Sequence, residues 1–131
     1  MFSHSAFDAQ QYPLLKATGN VGIGTWAPTC KLDVDGDIRA SGGLVVGSSR
    51  DLKLDIEELQ SEDALKTLLA LNPVNYRYKA DLQEKRVGFI AEKVPELVAM
   101  NDHQGLSTMD IVAALTKVVQ EQRKNIDKLR L

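Results

Sequence analysis

The chain has 131 residues, of which 44% are hydrophobic and only 5% aromatic. This length and composition predict one domain, or one domain with a short appendage, around a mostly aliphatic core. The net charge of −2 argues against a nucleic-acid partner, which requires an excess of Lys and Arg on the surface. We expect no membrane partner, because no apolar run approaches the roughly 20 residues of a span and the N-terminus lacks a signal-peptide pattern.

Nothing in the sequence calls for a metal or a cofactor, and we predict none. Cys30 is the single cysteine, which excludes an internal disulfide and a cysteine-based metal site. We expect it to be a small buried residue of a core or an interface. Gly22-Ile23-Gly24 is not a dinucleotide loop, since the third glycine and the following helix are missing.

The first part of the chain divides into two segments. Residues 1–18 show no clear period, and we interpret them as a flexible N-terminal segment. Residues 19–47 contain seven of the nine glycines and predict a Gly-rich β segment like those of fibres. Alternation of apolar and charged residues predicts short strands within 20–25, 31–35, 37–40 and 44–46. Asp35-Gly36 predicts a hairpin turn, and Trp26 is expected to pack in a turn beside Pro28.

The composition changes at Gly47–Ser48, which we take as a domain boundary. Residues 1–47 carry 7 charged residues and residues 48–131 carry 27. After the boundary we predict a helix over about 62–71, with Ser61 as N-cap and an end ahead of Pro73. A strand over 74–78, a polar connection over 80–85 and a second strand over 87–91 predict a small hairpin. A short helical turn over 92–100 and a loop over 101–105 follow, with His103 exposed to solvent.

A long helix is predicted for about 108–131, at the end of a domain spanning 48–131. Ser107 and Asp110 resemble a capping box at its start. Apolar residues and one glutamine then recur with alternating spacings of three and four, which is the pattern of a coiled-coil seam. The predicted seam consists of Val112, Leu115, Val119, Gln122, Ile126 and Leu129. The alternative is an ordinary amphipathic helix on its own core, which the wide apolar stripe near 111–119 favours.

The boundary also carries two hydroxyls ahead of a lysine. A serine becomes a nucleophile when a base takes its proton, and a partly desolvated lysine can be that base. Ser48 precedes Lys53 by five positions, a spacing that aligns neither on a strand nor on a helix. The two can meet only if the chain bends, with Gly47 giving freedom and Leu52 anchoring the turn by burial.

From Ser48 onward the sequence resembles the intramolecular chaperone auto-processing domain of phage endosialidases, tailspikes and tail fibres. A related domain occurs in a membrane-tethered myelin-regulatory transcription factor. The resemblance covers about residues 48–131 and rests on an ordered series of motifs. These are Ser-Ser-Arg-Asp-Leu-Lys at 48–53 with Ile56, Ala-Leu at 64–65, Leu-Asn-Pro-Val-Asn-Tyr-Arg-Tyr at 71–78, Gly-Phe-Ile-Ala-Glu-Lys-Val-Pro-Glu-Leu-Val at 88–98, and the terminal helix.

The resemblance implies a homotrimer that promotes folding of an upstream fibre domain and then cuts itself off. The implied fold is α+β: short Gly-rich β segments, a small β-hairpin with a packed helix, and a long C-terminal helix in a coiled coil of an intertwined trimer. The family's serine and lysine fall on Ser48 and Lys53, and the implied cut lies between Gly47 and Ser48. The implied location is a phage tail fibre assembled in the bacterial cytoplasm, or a prophage-encoded bacterial surface.

Two questions stay open at this point. The family often has Asp directly after the serine, whereas this chain has Ser49, so Ser49 is an alternative nucleophile and the site could be silent. The alternative functions are therefore a structural trimerisation cap that does not cleave and, from a third class, an adhesin tip. The last would need an exposed aromatic or polar patch, and Trp26 is the only tryptophan.

Overall fold

A computed structural model describes residues 19–100 and 102–130. The chain divides into two compact units, residues 1–52 and 53–131. The predicted flexible segment 1–18 lies outside the described residues, and the domain boundaries inferred from composition stay a prediction. Within the described ranges, no helix is both long enough and apolar enough to cross a membrane.

The first unit contains two short strands, β1 (Val21–Ile23) and β2 (Leu32–Val34). They pair in parallel, with Val21 opposite Leu32 and Ile23 opposite Val34. The hairpin predicted at Asp35-Gly36 is therefore wrong: β2 pairs with the strand before it, across a connecting loop, and no strand forms over 37–40 or 44–46.

Local polar contacts shape the loop between β1 and β2. The backbone N–H and the hydroxyl of Thr29 both donate to one carboxylate oxygen of Asp33, at 2.8 and 2.9 Å. These two hydrogen bonds lower the pKa of Asp33. Gly22 is required because a Cβ there would overlap the carbonyl oxygen of Thr25.

The first unit has no buried side chain among residues 19–52. Trp26 and Cys30, both expected to be buried or packed, are exposed. The predictions for Trp26 and Cys30 fail in the single chain because two three-residue strands provide too little surface to cover a side chain on either face of the sheet.

The second unit is built on two helices, α1 (Ser61–Ala70) and α2 (Thr108–Leu129), close to the predicted ranges. The predicted cap of α1 is wrong: Gln60 occupies the N-cap position without a side-chain hydrogen bond. Ser61 lies inside the helix instead, where its hydroxyl donates to the carboxylate of Glu121 on α2 at 3.4 Å.

One of the two hydrogen bonds of the predicted capping box is present at the start of α2. The hydroxyl of Ser107 accepts the backbone N–H of Asp110 at 3.2 Å. The backbone N–H of Ser107, however, donates to the carbonyl of Val98 at 2.9 Å, not to the Asp110 side chain. This bond ties the beginning of α2 to the segment before it.

The two helices pack through small side chains. Ala64 of α1 meets Ala114 and Val118 of α2 in a buried cluster, against which Leu59 and Leu68 pack. Small residues at both contact positions allow the helix backbones to approach closely. At the edge of this contact, the ammonium of Lys117 reaches the carboxylate of Glu58 at 2.5 Å.

The predicted hairpin is confirmed as strands β3 (Val74–Tyr78) and β4 (Asp81–Gly88), which pair antiparallel. The second strand begins and ends earlier than predicted, so most of the expected polar connection belongs to β4. Tyr76 and Tyr78 share a face, as predicted, with ring centroids 5.2 Å apart in an edge-to-face arrangement. The guanidinium of Arg86 lies 5.5 Å from the centroid of the Tyr78 ring.

A 3-10 turn and a hairpin of two-residue strands connect the β3–β4 sheet to α2. The 3-10 turn covers Ala91–Lys93, and β5 (Ala99–Met100) pairs antiparallel with β6 (Gly105–Leu106). Val94 and Val98 are buried here. The predicted helical turn over 92–100 is thus present only in its first residues, and its end is a strand.

We predict that Val98→Ala destabilises the second unit by about 2 kcal/mol, since Val98 is fully buried and the change removes two carbons and leaves a cavity. Urea unfolding followed by circular dichroism measures the change. The matched control is Val87→Ala on β4, where the side chain is 72% exposed and the cost should stay below about 1 kcal/mol. Equal losses in the two variants would contradict the packing described here.

Candidate functional site

The loop around the predicted cleavage bond, residues 47–52 (the junction loop), turns back on itself. Residues 50–52 form a 3-10 turn, and the backbone N–H of Leu52 donates to the carbonyl of Ser49 at 3.1 Å. The hydroxyl of Ser49 accepts the backbone N–H of Asp51 at 3.3 Å. The bend that the sequence required between Ser48 and Lys53 is therefore present.

Gly47 lies against the far end of the bend. A Cβ placed on Gly47 would come within 3.0 Å of Cδ1 of Leu52, so the residue before the predicted cut touches the last residue of the turn. The value of glycine here is its small size rather than an unusual backbone angle, since Gly47 is not among the residues with positive φ. Leu52 is 70% exposed, which corrects the expectation that its burial anchors the turn; hydrogen bonds do so.

The predicted catalytic pair, Ser48 and Lys53, is divided between the two compact units. Ser48 belongs to the first compact unit and Lys53 to the second, so the pairing of their side chains stays a prediction. Both residues are exposed in the single chain. Ser49, the alternative nucleophile, has a hydrogen-bonding role in the loop that sequence reasoning missed. The sequence could have indicated this role, because a serine hydroxyl often accepts the backbone N–H two residues further along the chain and so closes a turn.

The predicted seam forms an exposed stripe along α2. Val112, Leu115, Val119 and Ile126 retain between 45% and 54% of their accessible surface. Gln122 and Leu129 are also exposed. The helix buries a different stripe against α1, that of Ala114 and Val118. The ordinary amphipathic interpretation therefore explains the buried stripe, whereas the seam residues keep about half or more of their surface exposed.

A cleft of about 530 Å³ lies beside the N-terminal end of the seam, at Val112. The Tyr76–Tyr78 pair forms one wall and Ile111 and Val112 of α2 another. The hydrogen bond between the two tyrosine hydroxyls, 3.4 Å long, raises the pKa of Tyr76. Among the described residues that line the cleft none is charged, so this surface suits an apolar occupant rather than an ionic one.

His103 lies in a bonded position that the sequence did not predict. Its Nε2 lies 2.6 Å from a carboxylate oxygen of Glu96, and its Nδ1 lies 3.3 Å from the carbonyl oxygen of Ala91. The ring is only 31% exposed, which corrects the expectation of a solvated loop residue. Both nitrogens face acceptors, and only the protonated ring can donate from both. These contacts, with the Glu96 carboxylate first, raise the pKa of His103.

Comparison with known proteins indicates the class of this domain. Residues 48–103 match the family model Peptidase_S74, described as chaperone of endosialidase. The resemblance inferred from the sequence is confirmed for this segment, which is a chaperone-type domain of a family named as a peptidase.

A relative in an animal is similar to most of the chain. Myelin regulatory factor homolog 1 of Caenorhabditis elegans is 33% identical over 109 residues, which cover 73% of this chain and 12% of that protein. The chain therefore spans a small part of the relative, and the comparison bears on the shared region rather than on the whole protein.

We predict that the His103–Glu96 contact stabilises the loop before α2 in a pH-dependent way. Because the folded pKa of His103 is raised, its contribution is complete below the unfolded value of about 6.5. It is lost as the pH rises through the folded pKa. The difference in melting temperature between wild type and His103→Asn should thus shrink from about pH 5.5 to about pH 9.

Asn is the matched replacement because His103 has a φ of 61°, a conformation that asparagine tolerates. Asp102 is the other charged group that raises the histidine pKa, and Asp102→Asn should reduce the pH dependence only slightly. A difference in melting temperature that does not change with pH would contradict the assignment.

Proposed function

We propose that the chain is a folding and trimerisation chaperone of a phage or prophage tail fibre or spike, and that it cleaves itself between Gly47 and Ser48. Ser48 is the nucleophile and Lys53 the general base. The observation that carries the proposal is the bend of the junction loop, which lays Gly47 against Leu52 directly ahead of the lysine. Without such a bend the five-residue spacing excludes a dyad.

The reaction follows from the position of the nucleophile. Neutral Lys53 accepts the hydroxyl proton of Ser48, and Oγ attacks the carbonyl carbon of Gly47. Because Ser48 supplies the amide nitrogen of the same bond, the carbon–nitrogen bond breaks to leave an ester between Gly47 and Ser48 Oγ. The proton passes from Lys53 to the released α-amine. Water then hydrolyses the ester, giving the Gly47 carboxylate and restoring the Ser48 hydroxyl.

Assembly can provide a condition that the reaction requires. Lys53 is exposed in the single chain, whereas a general base has to be neutral to accept a proton. Burial favours the neutral form. A neighbouring subunit that covers the loop would therefore start the reaction, so that cleavage follows correct assembly. The upstream fibre would then keep its trimeric fold after the chaperone leaves.

The exposed seam supports assembly through α2. The seam residues are spaced alternately three and four positions apart, and about half of their surface or more remains exposed. Such a stripe can pack against the identical stripe on another copy of the helix. Helix α2 has 22 residues and spans about 33 Å. Because this length is marginal for a coiled coil alone, contacts outside the seam must contribute to the proposed assembly. We propose a trimer, as in the tail-fibre chaperones that the sequence resembles.

A non-cleaving trimerisation cap is the second candidate. The exposure of both Ser48 and Lys53 in the single chain favours it to the extent that assembly leaves the loop uncovered. The two candidates share the fold and the seam, and they differ only in whether the Gly47–Ser48 bond breaks. A test of cleavage separates them.

We predict that Ser48→Ala and Lys53→Ala each slow cleavage by about 100-fold or more, because each removes a group needed for proton transfer or attack. Intact mass and denaturing electrophoresis of the full chain measure the fragments, and the wild-type fragment should begin at Ser48. Hydroxylamine should release a Gly47 hydroxamate from wild type by capturing the ester.

The matched controls for these variants are Ser41→Ala and Lys66→Ala, which change exposed residues outside the junction loop and should cleave like wild type. An intact wild-type chain under conditions where the trimer forms would overturn the cleavage proposal and leave the structural cap.

We predict that Ile126→Glu dissociates the oligomer, since it places a charge in the seam of each helix. Gln120→Glu adds the same charge outside the seam and should leave the oligomer intact. Light scattering coupled to size exclusion measures the mass of each. If Ile126→Glu keeps the wild-type mass, the seam is not the assembly surface; a wild-type mass of two chains would replace the trimer with a dimer.

A further inference from the structure

Ser49 forms the bend of the junction loop with two of its own groups. Its carbonyl oxygen accepts the N–H of Leu52 at 3.1 Å, and its hydroxyl accepts the N–H of Asp51 at 3.3 Å. One residue thus accepts from two successive amides of the 3-10 turn. The side-chain bond is the kind by which serine replaces a backbone acceptor in a turn.

The bend determines whether the two reactive groups can meet at all. Five residues of extended chain span about 17 Å, farther than a lysine side chain extends. The turn shortens this path, as the contact of Gly47 with Leu52 demonstrates. The turn is exposed to solvent and has no buried side chain, so packing does not hold it and its hydrogen bonds determine how often it is populated.

We propose that Ser49 is a positioning residue for self-cleavage, which acts by holding the bend and does not attack the peptide bond itself. The inference rests on the proposed reaction of Ser48 and Lys53 and assigns a role to the residue between them. It gives Ser49 a role other than that of the alternative nucleophile, because its hydroxyl oxygen accepts the N–H of Asp51 and closes the turn. Ser49 acts through the backbone of residues 50–52.

The chemistry of the turn predicts which replacements work. Asparagine accepts the same amide through its side-chain oxygen and forms such turns more strongly than serine. It also adds no charge beside Lys53. Alanine retains the carbonyl bond to Leu52 and removes only the side-chain bond to Asp51. Alanine should therefore reduce the population of the bend, and asparagine should restore it.

The test compares wild type, Ser49→Ala and Ser49→Asn as full chains, with cleavage followed over time on the isolated oligomer by intact mass. We expect Ser49→Ala to cleave about 2- to 10-fold more slowly, the effect of losing one neutral hydrogen bond. Ser49→Asn should return to within about twofold of wild type. Every fragment should begin at Ser48, and the melting temperature and oligomer mass should not change.

Each other outcome has a defined meaning. Wild-type cleavage in Ser49→Ala, or equally slow cleavage in Ser49→Ala and Ser49→Asn, overturns the positioning role while the proposed function stands. A wild-type fragment that begins at residue 49 makes Ser49 the nucleophile, whereas complete loss in both variants with a wild-type fragment that begins at Ser48 overturns the positioning role. An oligomeric wild type that never cleaves overturns the proposed function itself, and this role with it.

Discussion

The contact between α1 and α2 is the interaction on which the second unit depends, and it is small. Ala64 and Ala114 are fully buried and Val118 nearly so, yet these three side chains contribute little apolar area. Only five hydrophobic residues are buried among residues 19–100 and 102–130. The entropy lost on ordering a chain of this length needs far more buried surface. The core among the described residues is therefore small, and the proposed assembly would add buried surface to it.

The small residues at this contact also determine which apolar side chains of α2 remain exposed. The alanines bring α1 close along one stripe of α2, and the larger aliphatic residues of the neighbouring stripe remain outside. Val112, Leu115 and Val119 stay about half exposed as a result. One apolar stripe of the helix packs within its own chain, and the other is the stripe that we propose for assembly.

The sequence predicted those features that local chemistry determines. The ends of α1 and α2 follow from Pro73 and Ser107, and the Tyr76–Tyr78 face follows from alternation along one strand. The failures involve contacts between distant residues: Asp35-Gly36 favours a hairpin, but the backbone of β2 pairs with β1 instead. His103 meets Glu96 because its φ of 61° turns the loop back, which spacing alone does not reveal. In the junction loop the sequence predicted a bend but not the Ser49 hydroxyl that closes it.

Geometry and protonation are separate requirements of the proposed cleavage. The turn at residues 50–52 forms within a single chain through local hydrogen bonds. A neutral lysine needs the removal of water, which an exposed loop cannot provide for itself. A loop that was both bent and dry in the monomer would cut before assembly and release the fibre unfolded. In the proposed reaction, an exposed loop with a preformed bend would react only when a neighbour covers it, so a small single-chain core and a delayed cleavage would both make assembly precede the cut.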